Sequence, residues 1–487
     1  MLKESLIQRD FVRASPGAAK FPAAPARPAA KLAVPRNRLN AIRTATPGWQ
    51  TVAAPAGTTL ALLAFYIFLH TSFAGEILKV YLHVPFPVVG IFAVLVPLVV
   101  LFAGGAMRFL GTPMAIPWLL FNVWIAISAV LGFYPKDSFS QMVPFELRLQ
   151  ILPLLICAVA TTSRSVRTVL AVAAVGVIPV LGLAATVGRL QAREGGRFGI
   201  PETSLSNPND LAFHLLWGSM LLLTFLLRKG KLGRILAAIA IPASVWFILK
   251  TASRANFLTL FAVVAIGFVI AAPSIRILLL ITVPIGLGVT LLLLPKSTLD
   301  RITAVEVSTS IDEVGQEGKQ ATDAQERGAL DSQAARMNLA KLAFTATLRN
   351  PVFGSGMGMF ADETADYIQR TTRNKAPWQT AHNSYLKVSS ENGIPAFLFY
   401  IWSILAAIFV TWRSVRQTRK RPGFEDANRN SICILLALAV YAFGTFFCDI
   451  VYLPYLAITI GLAAANYLAF RNEDLLAGMA SQGPLVR

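Results

Sequence analysis

The sequence has few charged residues, few cysteines and only four histidines. Charged residues make up 14% of the 487 residues, against about 25% in soluble domains. Hydrophobic residues make up 55%. This composition excludes an ordinary soluble domain and indicates an integral membrane protein. The net charge of +19 comes from basic residues that lie between apolar runs. That pattern is typical of membrane topology and argues against a nucleic-acid partner.

The three cysteines, Cys157, Cys433 and Cys448, all lie in apolar runs. None falls in the long polar segment, which excludes a disulfide framework and a thiolate metal site. On the predicted external side there is no Asp-x-Asp or His-x-x-x-His pattern either. We therefore expect neither a metal nor a cofactor.

Apolar runs of about 20 residues mark membrane-spanning helices. They predict an all-α fold, a polytopic bundle of about twelve transmembrane helices with one large external loop that contains short helices. The predicted spans are 54–73, 86–104, 112–133, 142–161, 166–188, 208–227, 233–250, 255–272, 275–294, 393–412, 431–448 and 450–470.

Lys and Arg are concentrated in alternate connections between these spans, which predicts the orientation. With the N-terminus inside, the basic connections 104–111, 162–167, 228–234, 273–276 and 411–430 all face the cytoplasm. The predicted segments are a basic, Pro- and Ala-rich disordered cytoplasmic tail (1–53), a bundle of about nine spans (54–294), an external loop (295–392), about three further spans (393–470) and a cytoplasmic tail (471–487). The external side is the periplasm if the cell is Gram-negative.

The external loop divides into a polar part and a structured part. Residues 300–335 show little periodicity, and we expect part of this segment to be mobile. Apolar residues at helical spacing predict a helix over 336–349, which Pro351 would end. The glycine-rich run 354–358 predicts a sharp turn that allows the backbone to approach another element closely.

His382 lies on the external side, about ten residues before the predicted span at 393, or roughly 15 Å if the connection is helical. An imidazole titrates near neutral pH and can accept a proton from an attacking hydroxyl, so His382 is a candidate general base. The alternative is a surface histidine near a helix start. Asn383 is expected to cap that helix, and Tyr385 to be an interfacial aromatic residue.

External arginines are candidates for binding a diphosphate, because a guanidinium donates bidentate hydrogen bonds. Arg254 lies in a short external turn between two predicted spans, and Arg336 opens the helix of the external loop. Arg189, with Arg193 and Arg197, forms a basic cluster that could attract an anionic substrate. The alternatives are an interfacial anchor for Arg254 and solvated arginines for the others.

Polar residues also open the predicted span at 208 from the outside. Asp210 and His214 are four residues apart and share one helix face. Polar groups at membrane depth are often functional. The alternative is structural, with Asn207 or Asn209 capping the helix.

Four motifs follow one another along the chain. They are Ser-Asn-Pro-Asn-Asp-Leu-Ala (206–212), Ser-Arg-Ala (253–255), Arg336 followed by Asn-Pro-Val-Phe-Gly-Ser-Gly-Met-Gly (350–358), and Ala-His-Asn-Ser-Tyr-Leu with Glu-Asn-Gly-Ile (within 381–394). In this order, and with the external loop between two spans, they resemble the O-antigen ligase family, which shares its C-terminal pattern with bacterial polysaccharide polymerases. The resemblance covers roughly residues 200–410.

The resemblance implies a metal-independent inner-membrane enzyme that moves a glycan from undecaprenyl diphosphate to a hydroxyl of the lipid A core or of a growing polysaccharide. It also implies that His382 is the catalytic residue and that Arg254 and Arg336 bind the diphosphate of the donor. In-line displacement would invert the anomeric carbon. The expected partners are therefore the lipid-linked donor, the acceptor and membrane lipid.

Two alternatives stay open. A polymerase would use the same donor and differ only in its acceptor, and these residues do not separate it from a ligase. A transporter of lipid-linked polysaccharide is an alternative of another class. Such proteins often have paired broken helices and symmetric halves, and the sequence has no such symmetry.

Overall fold

The computed structural model describes residues 57–84, 87–191, 197–271, 336–372 and 380–481, with isolated positions between 273 and 292. The predicted tail 1–53, the predicted mobile segment 300–335 and most of the predicted span 275–294 lie outside the described residues. The described chain is predominantly α-helical.

The described residues of the first half of the chain form eight α-helices. They are α1 Gly57–Thr71, α2 Ala74–Val80, α3 Val88–Ala103, α4 Ala115–Leu131, α5 Pro135–Phe145, α6 Leu152–Val159, α7 Ser163–Val175 and α8 Val177–Thr186. A π-helical turn, Glu146–Gln150, joins α5 to α6. Two of its freed carbonyls, those of Arg148 and Gln150, accept hydrogen bonds from Tyr66 Oη and Trp118 Nε1. The break in the helix therefore leaves these backbone groups paired.

The second half supplies the helices that surround the candidate site. They are α9 Pro208–Leu226, α10 Lys231–Lys250, α11 Arg254–Ile270, α12 336–349, α13 Phe360–Thr372, α14 Ser384–Thr418, α15 Glu425–Gly444 and α16 Tyr455–Ser481. The predicted helix over 336–349 is confirmed, and it ends at Asn350 as expected.

Within the described residues, six helical segments are long and apolar enough to cross a membrane. They are Pro135–Val159, Ser163–Thr186, Pro208–Leu226, Lys231–Lys250, Ser384–Thr418 and Glu425–Gly444. The pair α1 and α2, bent by 59°, would make a seventh, while α3, α4 and α11 are apolar but shorter. These helices support a multi-pass, all-α membrane protein. The number of twelve spans stays a prediction.

One large apolar core joins the two halves of the chain. In it α14 packs against α4 and α15, α9 packs against α10 and α15, and α16 packs against α6. Tyr400 of α14 and Tyr441 of α15 are fully buried, and their hydroxyls share a hydrogen bond of 2.7 Å. Pairing two buried hydroxyls removes the cost of leaving either one unsatisfied.

Several helix boundaries differ from the predicted ones, and the two largest shifts are at the start of α14 and at the end of α16. The span predicted at 393–412 is part of α14, which begins at Ser384 because Asn383 caps it and nothing in 384–392 breaks a helix. The predicted tail from 471 continues α16 as far as Ser481. Polar contacts hold this extension, since Arg421 pairs with Asp474 at 2.6 Å and Ser163 N donates to Glu473 Oε1 at 2.8 Å.

A short antiparallel hairpin was not predicted from the sequence. Strands β1 (Arg189–Gln191) and β2 (Arg197–Gly199) pair with Leu190 opposite Phe198. The ring of Phe198 stacks on Phe247 of α10, with ring centroids 5.5 Å apart. This contact anchors the hairpin to the bundle beside the start of α9.

Candidate active site

A kink at Gly393 interrupts α14. Gly393 has φ +79°, and a Cβ there would lie 2.1 Å from the carbonyl oxygen of Val352. A residue with a side chain could not adopt this position without moving the backbone. The amide of Ile394 donates to Pro351 O at 2.8 Å, so the kink receives the segment that follows α12.

The glycine-rich turn 354–358 packs on the same kink, as the sequence predicted for a close backbone approach. The amide of Gly356 donates to Glu391 O at 2.8 Å, and a Cβ on Gly354 would meet Glu391 backbone at 2.4 Å. The buried carboxylate of Glu391 accepts from Gly358 N, Phe360 N and Tyr452 Oη at 2.9, 3.2 and 2.5 Å. Glu391 therefore has a structural role in holding this turn.

His382 lies just before α14 with a left-handed backbone, φ +49°. Histidine is among the few non-glycine residues that are enriched in this conformation. Asn383 then caps α14, accepting from Leu386 N at 3.0 Å, which confirms its predicted capping role. The imidazole thus projects from a fixed turn at the end of a helix.

Ser384 fastens the start of α14 to the segment between α15 and α16. Its hydroxyl donates to Cys448 O at 2.7 Å and accepts from Ile450 N at 3.0 Å. Its amide donates to Thr445 O at 2.9 Å. These three bonds position His382 beside Asp449.

Asn209 is the hub that joins the motif at 206–212 to the motif at 253–255. Its side-chain oxygen accepts from Arg197 Nη2 and Ser253 Oγ, each at 2.8 Å. Its carbonyl accepts from Asn256 Nδ2 at 3.0 Å, and the thiol of Cys448 lies 3.7 Å from the same oxygen. Asn209 therefore also connects both motifs to the segment that Ser384 holds.

Arg254 begins α11 directly after the capping residue Ser253. The Ser253 hydroxyl bonds to both Asn209 and Asn256. Arg254 is half-buried there. The structure thus places Arg254 on the border of the Asn209 network, on the same side of the bundle as His382.

Arg336 is the first described residue of α12 and is half-buried. Apolar contacts attach α12 to the site, since Leu339 and Ala343 pack with Phe360 and Ala381. The hydroxyls of Thr347 and Ser389 also share a hydrogen bond of 2.9 Å.

The surroundings of His382 favour the neutral form of its imidazole. Burial lowers the pKa of His382, and the positive charge of Arg336 lowers it further. Asp449 raises that pKa, while Arg197 and Lys387 lower it. A neutral imidazole beside several cations can accept a proton while a nearby anion is held.

Lys387 and Asp449 form an ion pair of 2.8 Å whose side chains are 13% and 11% exposed. The ammonium group of Lys387 also lies 5.0 Å from the ring centre of Tyr452. Sequence reasoning did not select either residue. The signal was present, because both are charged residues next to apolar runs, where charge is costly and often functional.

The predicted arginine Arg189 and its neighbour Arg197 occupy different environments. Arg189 is exposed on β1; burial and Glu202 raise the pKa of Tyr81, and the charge of Arg189 only opposes that rise. Arg197 is 7% exposed on β2, donates to Thr251 O at 3.0 Å and acts on His382. The structure therefore brings Arg197, which was not selected individually, into the site and leaves Arg189 at its rim.

The three candidate residues near the start of α9 lie in three different environments. Asn207 caps the helix, accepting from Asn209 N at 2.9 Å, as expected. The half-buried Asp210 lies among the charged groups near Lys387 and Cys448. His214, one turn deeper, is fully buried, with Nδ1 3.1 Å from Tyr455 Oη. Asp210 thus borders the site and His214 lies inside the bundle.

Tyr385 packs inside the bundle, although the sequence suggested an interfacial aromatic residue. Its hydroxyl donates to Ala442 O at 2.9 Å, and its ring contacts Tyr400 and Phe446. Tyr385 therefore helps to hold the first turn of α14, next to His382, against the bundle.

The described residues contain no group of three or more His, Cys, Asp or Glu side chains that could hold a metal ion. The polar groups that gather around His382 are instead arginine, lysine, aspartate and amide side chains. Such a set is suited to binding an anion through charge-assisted hydrogen bonds.

Comparison with known proteins agrees with the motifs. No curated protein matches the chain. Residues 237–401 match the family model described as O-antigen ligase. The resemblance stated from the sequence is confirmed over this segment, which carries Arg254, Arg336 and His382.

Proposed function

We propose that this protein is a glycosyltransferase of cell-surface polysaccharide assembly that transfers a glycan from undecaprenyl diphosphate to an acceptor hydroxyl. The family match supports a membrane enzyme acting on lipid-linked polysaccharide. The observation that carries the proposal is a half-buried histidine that lies among cationic side chains and whose pKa is lowered. A neutral base and a diphosphate-binding surface are the two things such a transfer needs.

In the proposed reaction the acceptor oxygen attacks the anomeric carbon of the donor glycan. The new glycosidic bond forms as the bond from that carbon to the diphosphate oxygen breaks. His382 takes the acceptor's proton, and undecaprenyl diphosphate leaves with the bonding electron pair. Attack opposite to the leaving group inverts the anomeric carbon.

The arginines stabilise the negative charge that develops on the diphosphate. Arg254 and Arg336 are assigned this role from the family motifs, and Arg197 is added because it acts on His382 from β2. Guanidinium groups are suited to it because they remain charged and bond two oxygens at once. No step in this scheme uses a metal or a cofactor.

The proposed location is the bacterial inner membrane, with both termini in the cytoplasm and His382 facing the periplasm. The basic connections that would then face the cytoplasm support this orientation. In this arrangement 54–294 and 393–470 form the membrane bundle, and 295–392 is the periplasmic loop. The acceptor is a hydroxyl of the lipid A core or of a growing chain, and no nucleic acid takes part.

Reconstitution tests the proposal. Purified protein in liposomes should convert a lipid-linked glycan donor and a hydroxyl acceptor into a glycosylated product, with one undecaprenyl diphosphate released per bond formed. Movement of the donor across the bilayer without a new glycosidic bond would instead identify a transporter.

A deletion strain separates a ligase from a polymerase. Loss of polysaccharide from lipopolysaccharide, while long lipid-linked chains persist, identifies the ligase that we propose. Accumulation of single repeat units on the carrier would identify a polymerase that uses the same donor.

A further inference from the structure

A cavity of about 960 Å³ lies at the other end of α9 from the candidate active site. Thr224 and Phe225 line it at the C-terminal end of α9, whereas Asn209 lies at the N-terminal end. At 1.5 Å per residue, Asn209 and Phe225 are about 24 Å apart. The cavity is therefore separate from the site around His382, and its lining residues fall outside the matched segment 237–401.

Cationic side chains are in excess around this cavity. Its charged lining residues are Arg167, Arg228, Lys229 and Arg429 with Glu425 and Asp426. Four positive charges against two negative ones leave an excess of two positive charges. Such a cavity favours an anionic ligand.

Asp426 already compensates part of this charge. It pairs with Arg167 at 2.9 Å and with Arg228 at 3.4 Å. Arg228 also donates to Asn430 Oδ1 at 2.7 Å. These contacts fix two of the arginines as the wall of the cavity.

Lys229 and Arg429 differ from these two arginines. Among the described residues, neither side chain forms a hydrogen bond or an ion pair, although both line the cavity. Arg429 is half-buried and Lys229 is exposed. Their charges are therefore available to a ligand.

The cavity also has an apolar wall, and its position fits a lipid. Val172, Phe225 and Gly233 line it beside the charged residues. Four candidate spans begin or end here, namely Ser163–Thr186, Pro208–Leu226, Lys231–Lys250 and Glu425–Gly444. The ends of spans lie at the level of lipid headgroups, where basic pockets between helices bind anionic lipids.

We propose that this cavity binds the phosphate headgroup of an anionic membrane phospholipid, with Lys229 and Arg429 contacting the phosphate and Phe225 contacting the acyl chains. A free phosphate would share the ionic contacts but would leave the apolar wall without a partner. The combination of charge and apolar surface therefore favours the lipid.

Lipid binding can be measured on the purified full chain. In nanodiscs or detergent micelles that contain phosphatidylglycerol, we expect native mass spectra to show lipid bound to the protein. We also expect the protein to have a higher melting temperature with phosphatidylglycerol than with phosphatidylcholine. In Lys229→Gln/Arg429→Gln, affinity for phosphatidylglycerol should fall about 5-fold per charge, or roughly 25-fold for the pair. Lys229→Gln alone should lose about 5-fold, and because Lys229 is exposed this variant tests the proposal even if the double variant fails to fold.

Arg416→Gln/Lys420→Gln is the matched control, since Arg416 is exposed in the last turn of α14, Lys420 is exposed just after that helix, and neither lines the cavity. It removes the same charge and should retain lipid binding. An equal loss of affinity in this control, or equal binding of phosphatidylcholine, would overturn the proposal. Inorganic phosphate or diphosphate that stabilises the protein as much as the lipid would also overturn it, because the site would then bind a free anion.

Discussion

The two ends of α9 both gather arginines, but only the N-terminal end places them near a histidine. At the N-terminal end, the charges of Arg197 and Arg336 act on the half-buried imidazole of His382. At the C-terminal end, Arg167 and Arg228 share the carboxylate of Asp426, and no histidine lines the cavity. An imidazole among cations can accept a proton while an anion is held, whereas the cations at the other end line a partly apolar cavity and are assigned only to binding an anion.

The largest expected effect is at His382. His382→Ala should reduce the rate of glycan transfer about 10²- to 10⁴-fold, the usual contribution of a general base. His83→Ala is the matched control, because His83 is exposed and has a similar left-handed backbone, φ +50°. Transfer assays with both purified variants check this, and comparable losses in the two would contradict a catalytic role for His382.

The ion pair beside His382 should matter for stability. Lys387→Met leaves Asp449 without its partner at a site where both side chains are nearly buried, and breaking such a pair costs about 3–5 kcal/mol. Lys387→Met/Asp449→Leu should be less destabilised, because no uncompensated charge remains. Unfolding in detergent measures the difference. A double variant less stable than Lys387→Met would contradict this account of the pair.

The paired strands of the hairpin offer a comparison between two arginines. Arg197→Gln should lower kcat/KM for the donor by about 10- to 100-fold, the range for a hydrogen bond to a charged group. The exposed Arg189→Gln should change it less than about threefold. Values of kcat/KM for the donor check this. A larger effect of Arg189→Gln would mean that Arg189, as the sequence suggested, binds the donor and that Arg197 does not.

The smallest effects are shifts in the pKa of His382, and their signs are opposite. Arg336→Gln removes a cation that disfavours the imidazolium, so the pKa should rise toward its ordinary value of about 6.5. Asp449→Asn removes an anion that favours the imidazolium, so the pKa should fall further. Carbon-13 NMR of labelled histidine follows both titrations. Shifts in the same direction would mean that these charges do not act on His382 as described.

Much of the helical framework could be predicted from the sequence because apolar runs and capping residues are local signals. The helix over 336–349 and the caps at Asn207 and Asn383 are examples. The boundary at 393 was wrong for a local reason, since α14 begins at Ser384, directly after its cap Asn383, and only bends where the apolar run starts. Hydropathy finds the apolar part of a helix and misses its polar extension.

The candidate site was predictable only where one residue carries its own signal. His382 and Arg336 could be selected from residue type and position alone. Arg197 could not be preferred to Arg189, because the difference comes from strand pairing and from Asn209. Lys387 and Asp449 lie on separate elements 62 residues apart, and their pairing depends on tertiary packing.

The most direct test of the central claim is the pH dependence of single-turnover glycan transfer by wild-type protein and His382→Ala. If neutral His382 accepts the acceptor's proton, the wild-type rate stays high below pH of about 6.5 and falls only at the lowered pKa of this residue. The residual rate of His382→Ala should then show no such fall in the same pH range. A variant that keeps the wild-type acid limb would show that another group titrates, and that His382 is not the base.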